Sequence, residues 1–170
     1  MASRYALPKP STLILGATPK LYNIFASDEI ICVDISMDMM LQNYTKDVKF
    51  VQGNWLDLSF IPDSSIEAIL GDGVLTLLKR EEYETLFKEL HRISRCGAIF
   101  MVRVFTNSPH LEYANKTEHL NRFLRYLNSP EKDISVDTEL GITYSFPLLS
   151  EIIKSASKFF KLQAIELAKG

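Results

Sequence analysis

Apolar residues along this chain change period repeatedly, from short continuous runs to helical spacing and back. Thr12 to Leu15 is a short apolar run that predicts a buried strand. Thr18 and Pro19 then predict a helix start, with proline in the first turn where its missing N–H costs nothing, and a helix running to about Ser27. Ile30 to Asp34 predicts strand two. Ser36, followed by Met37, Met39, Met40 and Leu41, predicts a capped amphipathic helix, and Val48 to Val51 strand three. Gln52 to Pro62 reads as a turn-rich loop and Ser65 to Leu70 as strand four, closed by Gly71-Asp72-Gly73. Glu81 to Ser94 is the clearest helix, with Tyr83, Leu86, Phe87, Leu90 and Ile93 on one face; Gly97 then precedes strand five, Ala98 to Phe105. Strands alternating with helices in this way predict βαβ units. The expected fold is therefore α/β, a Rossmann-like doubly wound, mostly parallel sheet with helices on both faces and right-handed crossovers.

After Phe105 the pattern thins. Thr106 to Leu111 reads as loop, Lys116 to Leu127 as helix and Asn128 to Leu140 as a polar, turn-rich segment. Phe146-Pro147 introduces a helix from about Leu148 to Ser157, and Phe159 to Leu167 has the alternation of a sixth strand. A chain of 170 residues with 46% hydrophobic and 24% charged content suits a single domain, 1–170, with one sizeable core. Its net charge of −2 is spread without a basic stripe, so nucleic acid is not an expected partner. Cys32 and Cys96 sit in or beside apolar runs and read as small buried thiols in a reducing compartment. Met1 to Ser11 lack the apolar core of a signal peptide, and no run reaches the ~18 apolar residues of a membrane span. A cytoplasmic protein without membrane contact is expected.

In an open parallel sheet, ligands bind outside the carboxyl ends of the strands, near the point where strand order reverses. Gly16, Asp34, Asn54 with Trp55, and Gly71-Asp72-Gly73 all fall at or just past successive strand ends. Gly16 permits a tight turn, and an acid at Asp34, 18 residues on, suits the hydroxyls of a ribose lying across the rim. Each residue also has a plainer use. Gly16 turns the chain, Thr18 caps a helix, Asp34 caps the next one in competition with Ser36, and Trp55 plugs the rim of the core. Asp72 reads as a base, a cofactor ligand or a turn residue. His91, His110 and His119 lack the paired spacing of a metal site, so no metal is expected. Met37, Met39 and Met40 read as core and pocket wall.

These pieces together resemble the class I S-adenosylmethionine-dependent methyltransferases. The matching segments are Leu13-Ile-Leu-Gly-Ala-Thr-Pro19, Val33-Asp-Ile-Ser36, Val51-Gln-Gly-Asn-Trp-Leu-Asp-Leu58, Ile66-Glu-Ala-Ile-Leu-Gly-Asp-Gly73 and Leu90-His-Arg-Ile-Ser-Arg-Cys-Gly97 with strand five. They span Thr12 to Phe105, which implies a cofactor half at about 12–105 and a substrate part at about 106–170. The likeness is closest to a branch with a shortened Leu-Gly-x-Thr-Pro first loop and Gly-x-Trp after strand three.

The resemblance implies S-adenosyl-L-methionine as cofactor. Gly16, Ala17 and Thr18 would face its methionine portion, where the next helix start offers N–H groups and Lys20 adds charge. Asp34 would accept the ribose hydroxyls, Ile35 pack on adenine, Asn54 receive the adenine amino group and the Trp55 backbone N–H reach a ring nitrogen. Gly71 would accept the ammonium group, and Asp72 lies nearest the methyl-transfer position. No catalytic residue is assigned, because a sulfonium is already electrophilic and asks mainly for placement. The departures are a glycine-poor first loop, Ile14 where an acid is common, only about ten residues before strand one, which predicts a short or absent lid, and one clear strand after Phe105. The expected function is methyl transfer to a small-molecule or protein acceptor. A catalytically silent, methyltransferase-like partner domain is the alternative. A nicotinamide oxidoreductase ranks third, because Gly-x-Gly-x-x-Gly is absent.

Overall fold

The computed structural model describes residues 11–25, 27, 29–105 and 149–164. Five strands build one sheet: β1 (Thr12–Leu15), β2 (Ile30–Asp34), β3 (Lys49–Gln52), β4 (Ile66–Asp72) and β5 (Ser94–Arg103). Their order is β3-β2-β1-β4-β5, and every neighbouring pair is parallel. The chain moves outward from β1 in one direction, then returns to β4 and moves outward in the other. The doubly wound sheet expected from the sequence is thus present, with its switch point between β1 and β4.

β1 is central and no residue in it is more than 2% exposed, which is why it reads as an unbroken apolar run rather than an alternation. On one face Ile14, Cys32, Ala68 and Leu70 pack with Tyr22, Phe25, Met40 and Val48. Three helices are described: α1 (Met37–Gln42), α2 (Tyr83–Ile93) and α3 (Leu149–Ala156). The predicted face of α2 is buried throughout, and Phe87 meets Phe100 of β5 edge-on at 6.1 Å between ring centroids. None of the described helices is long and apolar enough to cross a membrane.

Several expectations are corrected. The helix predicted from Thr18 to Ser27 is replaced by a 3-10 turn at Pro19–Leu21 and further turns through Phe25. Thr18 makes no side-chain cap, and a short isolated helix gains little on its own, so burial of Tyr22 and Phe25 decides the path. Strand four runs on to Asp72, and the chain turns at Gly73, whose φ is +70°. Strand five starts at Ser94 instead of Ala98. Its pairing shifts between Ile66 and Ala68, a bulge that contains Gly97 at φ +84°. Met37, Met39 and Leu41 are exposed and only Met40 of that cluster is in the core, because α1 is a short helix with one buried position. Cys32 is buried but Cys96 is exposed. Residues 159–164 form no strand, while 165–167 lie outside the described residues, as do the predicted loop at Thr106 to Leu111, the helix at Lys116 to Leu127 and the segment Asn128 to Leu140.

The chain divides into two compact units, residues 1–74 with 85–104 and residues 75–84 with 105–170. In the second, the Tyr83 hydroxyl donates to the Leu75 carbonyl at 2.8 Å, Arg80 pairs with Glu151 of α3, and Lys158 pairs with Glu84. In the first, the crossover from β3 to β4 has no helix and is clamped instead by Arg92. Its Nε donates to Glu89 Oε1 at 3.2 Å, Nη1 to the Ile61 carbonyl and Asp63, and Nη2 to the Leu58 carbonyl and Glu89 Oε2. Glu89 Oε2 also accepts the Leu58 N–H at 3.1 Å. All five guanidinium N–H bonds are therefore used.

Beneath the β1 loop, the buried Tyr22 hydroxyl lies beside the Cys32 thiol and, among the described residues, has no nitrogen or oxygen hydrogen-bond partner. Burial, helped by Cys32, raises its pKa well above the usual tyrosine value. Tyr22→Phe removes a hydroxyl that was desolvated for little return, so its unfolding free energy, measured by urea denaturation, is expected to equal or exceed that of the parent by up to about 1 kcal/mol. A loss larger than about 1 kcal/mol would mean that the hydroxyl has an internal partner worth a full hydrogen bond.

Candidate functional site

The carboxyl ends of β1 and β2 are joined by backbone and carboxylate hydrogen bonds. Gly16 leaves β1 at φ +91°, its N–H donates to the Val33 carbonyl at 2.9 Å, and its carbonyl accepts the Thr18 N–H at 2.8 Å. That positive φ favours glycine, so Gly16 is required by the turn whatever else it does. Asp34 ends β2 and reaches back. Its Oδ2 accepts the Ala17 N–H at 2.8 Å and its Oδ1 the Ser36 N–H at 2.9 Å. The cap of α1 is Ser36, whose Oγ accepts the Met39 N–H at 3.2 Å, so Asp34 is not needed as the helix cap. Each Asp34 oxygen holds one N–H and retains acceptor capacity for another donor.

After β3, Gly53 returns its N–H to the Asp34 carbonyl at 3.0 Å. Asn54 is exposed and uses its side-chain oxygen to accept the Leu56 N–H at 3.0 Å, which tightens the turn that carries Trp55. The indole is not directed outward: Trp55 Nε1 donates to the Val33 carbonyl at 2.7 Å. A Cβ placed on Gly16 would lie 3.6 Å from Trp55 Cζ2, 3.9 Å from Asp34 Oδ2 and 4.0 Å from Thr18 Oγ1. Gly16, Thr18, Asp34 and Trp55, spread over 40 positions of sequence, therefore surround one point, and Ala17 joins them through its N–H. Ile35 stands next to Asp34 with 71% of its surface exposed. Lys20 is exposed as well.

Gly71 and Asp72 lie on the other side of the switch point. Gly71 is in register with Leu15 on one side and Val102 on the other, and an added Cβ would meet Val74 Cγ2 at 2.6 Å, so the position admits only glycine without movement. Asp72 is held on both oxygens by Arg103, with Nε at 2.5 Å from Oδ1 and Nη2 at 2.7 Å from Oδ2. This bidentate pair is a cross-strand contact, since Asp72 and Arg103 are register partners. No motif in the sequence marks Arg103 as a site residue. The strand predicted over Ala98 to Phe105 puts Arg103 inside it, whereas β5 ends on Arg103 and β4 on Asp72, which sets the two side by side.

Cys32, which the sequence marks only as a small buried thiol, also reaches the rim. Its thiol donates to the Gly16 carbonyl at 3.5 Å from inside the core. Burial, with a smaller push from the Asp34 carboxylate, raises its pKa to about 12, so it stays a neutral donor at ordinary pH. Among the described residues, no three His, Cys, Asp or Glu side chains are grouped as metal ligands. The rim thus combines a carboxylate with spare acceptor capacity, an exposed apolar side chain beside it and a glycine that allows close backbone approach. That donor set fits a nucleoside with vicinal hydroxyls.

A family model described as "Methyltransferase domain" matches residues 16–102, which contain every one of these rim residues except Arg103. No curated protein matches the chain in sequence. Among solved structures, a SAM-dependent methyltransferase from Methanosarcina mazei is similar over 92% of this chain and 81% of its own, with a TM-score of 0.70 at 16% identity. The PH0226 protein from Pyrococcus horikoshii OT3 is similar over 98% of this chain and 80% of its own, at 0.70 and 19%. DhpI, in its complex with SAM and HEP, is similar over 92% and 72%, at 0.62 and 14%. At these identities the structural likeness speaks for the fold, while the matched domain covers just over half of the chain. The chain belongs to the methyltransferase-domain family and has the class I, S-adenosylmethionine-dependent type of fold.

Proposed function

We propose that this domain binds S-adenosylmethionine at the β1–β2 rim and transfers its methyl group to a small-molecule or protein acceptor. The observation that carries this reading is the convergence of Gly16, Thr18, Asp34 and Trp55 around one point at the strand ends. Asp34 would hold the ribose hydroxyls with the acceptor capacity left over from Ala17 and Ser36, and the exposed Ile35 would cover one adenine face. Asn54 and the Trp55 backbone would take the base edge, and Gly16, Ala17, Thr18 and Gly71 the methionine portion. Since only a 3-10 turn follows the first loop, individual N–H groups and not a helix end would meet the methionine carboxylate. Bound there, the cofactor supplies a methyl group on an electrophilic sulfonium and leaves as the thioether S-adenosylhomocysteine. The protein's task is then to align the acceptor and exclude water.

A second reading, a catalytically silent domain that binds cofactor or a partner, draws on the Asp72–Arg103 pair. A carboxylate held on both oxygens by a guanidinium is poorly placed to take a proton from an acceptor. Calorimetric titration with S-adenosylmethionine, S-adenosylhomocysteine and NAD is the first test, followed by transfer of radiolabelled methyl to fractionated metabolites and proteins. Binding of a sulfur nucleoside below millimolar concentration with labelled product supports the enzyme. Binding without product in any fraction supports the silent domain. Binding of NAD alone would overturn both.

A further inference from the structure

The Val33 carbonyl oxygen accepts two hydrogen bonds, one from the Gly16 N–H at 2.9 Å and one from the Trp55 indole N–H at 2.7 Å. Through this single atom the end of β2 is tied both to the β1 loop and to the loop after β3. The tie adds to the bonds that the β1 loop makes through the Ala17 N–H, the Gly16 carbonyl and the backbone of its 3-10 turn. The Thr18 side chain does not cap that turn, Pro19 brings no N–H, and among the described residues no α-helix lies between β1 and β2. Trp55 supplies bulk as well as a bond, since its Cζ2 lies in van der Waals range of any atom at the Cβ position of Gly16. The backbone that carries the ring is itself fixed by the Asn54 turn, with Leu56 N–H on the Asn54 side chain and Asp57 N–H on its carbonyl, both at 3.0 Å. The ring is only partly buried, so it remains available to a ligand at the rim.

We propose that the Trp55 side chain is a positioning residue for the cofactor: its indole holds the glycine-poor first loop in place and forms the wall against which the bound nucleoside rests. This goes beyond the backbone contact assigned to Trp55 and rests on the reading that the rim takes S-adenosylmethionine. Through Val33 and Gly16, the ring sets where the Ala17 N–H meets Asp34, and so where the carboxylate stands.

Trp55 is the only tryptophan, so its emission reports on this ring alone. S-adenosylhomocysteine is titrated into the intact protein by calorimetry and by tryptophan fluorescence, and into Trp55→Phe and Trp55→Ala by calorimetry with thermal melting as the control for folding. The expected result is an emission change in the parent with the calorimetric midpoint, about fivefold weaker binding for Trp55→Phe, which keeps a ring but loses one hydrogen bond, and a larger loss for Trp55→Ala. Calorimetric binding with unchanged emission overturns the wall. Unchanged affinity in a folded Trp55→Phe overturns the positioning role. If either variant fails to fold, the parent's emission decides. Absence of calorimetric binding to the parent removes the cofactor reading itself, a result distinct from both.

Discussion

Asp34→Ala is expected to weaken binding of S-adenosylhomocysteine by about a hundredfold while leaving most of the protein folded. Two ribose hydroxyls donating to a carboxylate are each worth about 1.5–3 kcal/mol, so losing both acceptors removes about 3 kcal/mol or more. The substitution also strips the Ala17 N–H of its acceptor in a position where the residue is only 4% exposed. A modest fall in melting temperature should therefore accompany the loss of binding. Asn is no rescue, because its amide would turn one hydrogen toward the N–H of either Ala17 or Ser36. Calorimetry on the folded variant is the measurement. Affinity equal to that of the parent would return Asp34 to a purely structural role, tying the β1 loop to the start of α1.

The largest effect on stability is expected at Arg92, a residue with no place in the ligand site. Arg92→Ala leaves the Ile61 carbonyl without its donor, the Leu58 carbonyl with only the Ile61 N–H and Glu89 without its cation, in residues that are buried or largely so. A cost of about 3 kcal/mol follows, read as a lower urea midpoint at unchanged slope. Lysine restores the charge but not the planar fork that reaches two carbonyls and two carboxylates, so Arg92→Lys should recover less than half. The effect depends on pH. Hydrogen bonding from Arg92, with help from the Leu58 N–H, holds the Glu89 carboxyl below its ordinary value of 4.5. A depressed folded-state pKa contributes stability that is present above the unfolded value and lost as pH falls through the folded one. The gap between parent and Arg92→Ala should thus be full near neutrality and narrow below about pH 4.5. A gap that stayed constant through that range would mean that Glu89 takes no part in the clamp.

The positions of the rim residues were legible because each follows a strand, and strand ends are marked by local chemistry. A short apolar run closing on Gly16, and another closing on Asp34, need no knowledge of distant residues to be recognised. What those residues do was less legible. The uses found for the Asn54 side chain, the Trp55 indole and the Asp34 carboxylate are hydrogen bonds within the protein, to Leu56, Val33, Ala17 and Ser36. Partners up to 22 residues away are set by how β2 sits beside β1 and β3. The same applies to Asp72 and Arg103, whose pairing follows from the register of β4 and β5 across a bulge that periodicity alone does not reveal.

Period and punctuation were enough to place five strands, the burial of β1 and the buried face of α2, because these follow from which residues leave water. They also located the rim at the strand ends. Packing decided the remainder. The segment after Thr18 turned instead of coiling because burying Tyr22 and Phe25 outweighed weak local helix preference. Arg92 became the clamp of the β3–β4 crossover, and Trp55 the tie between two loops, because the folded sheet brought carbonyls from elsewhere in the chain within reach of their N–H groups. Hydrophobic pattern is a property of neighbours along the chain, whereas a hydrogen bond between loops exists only after the sheet has set the distance between them.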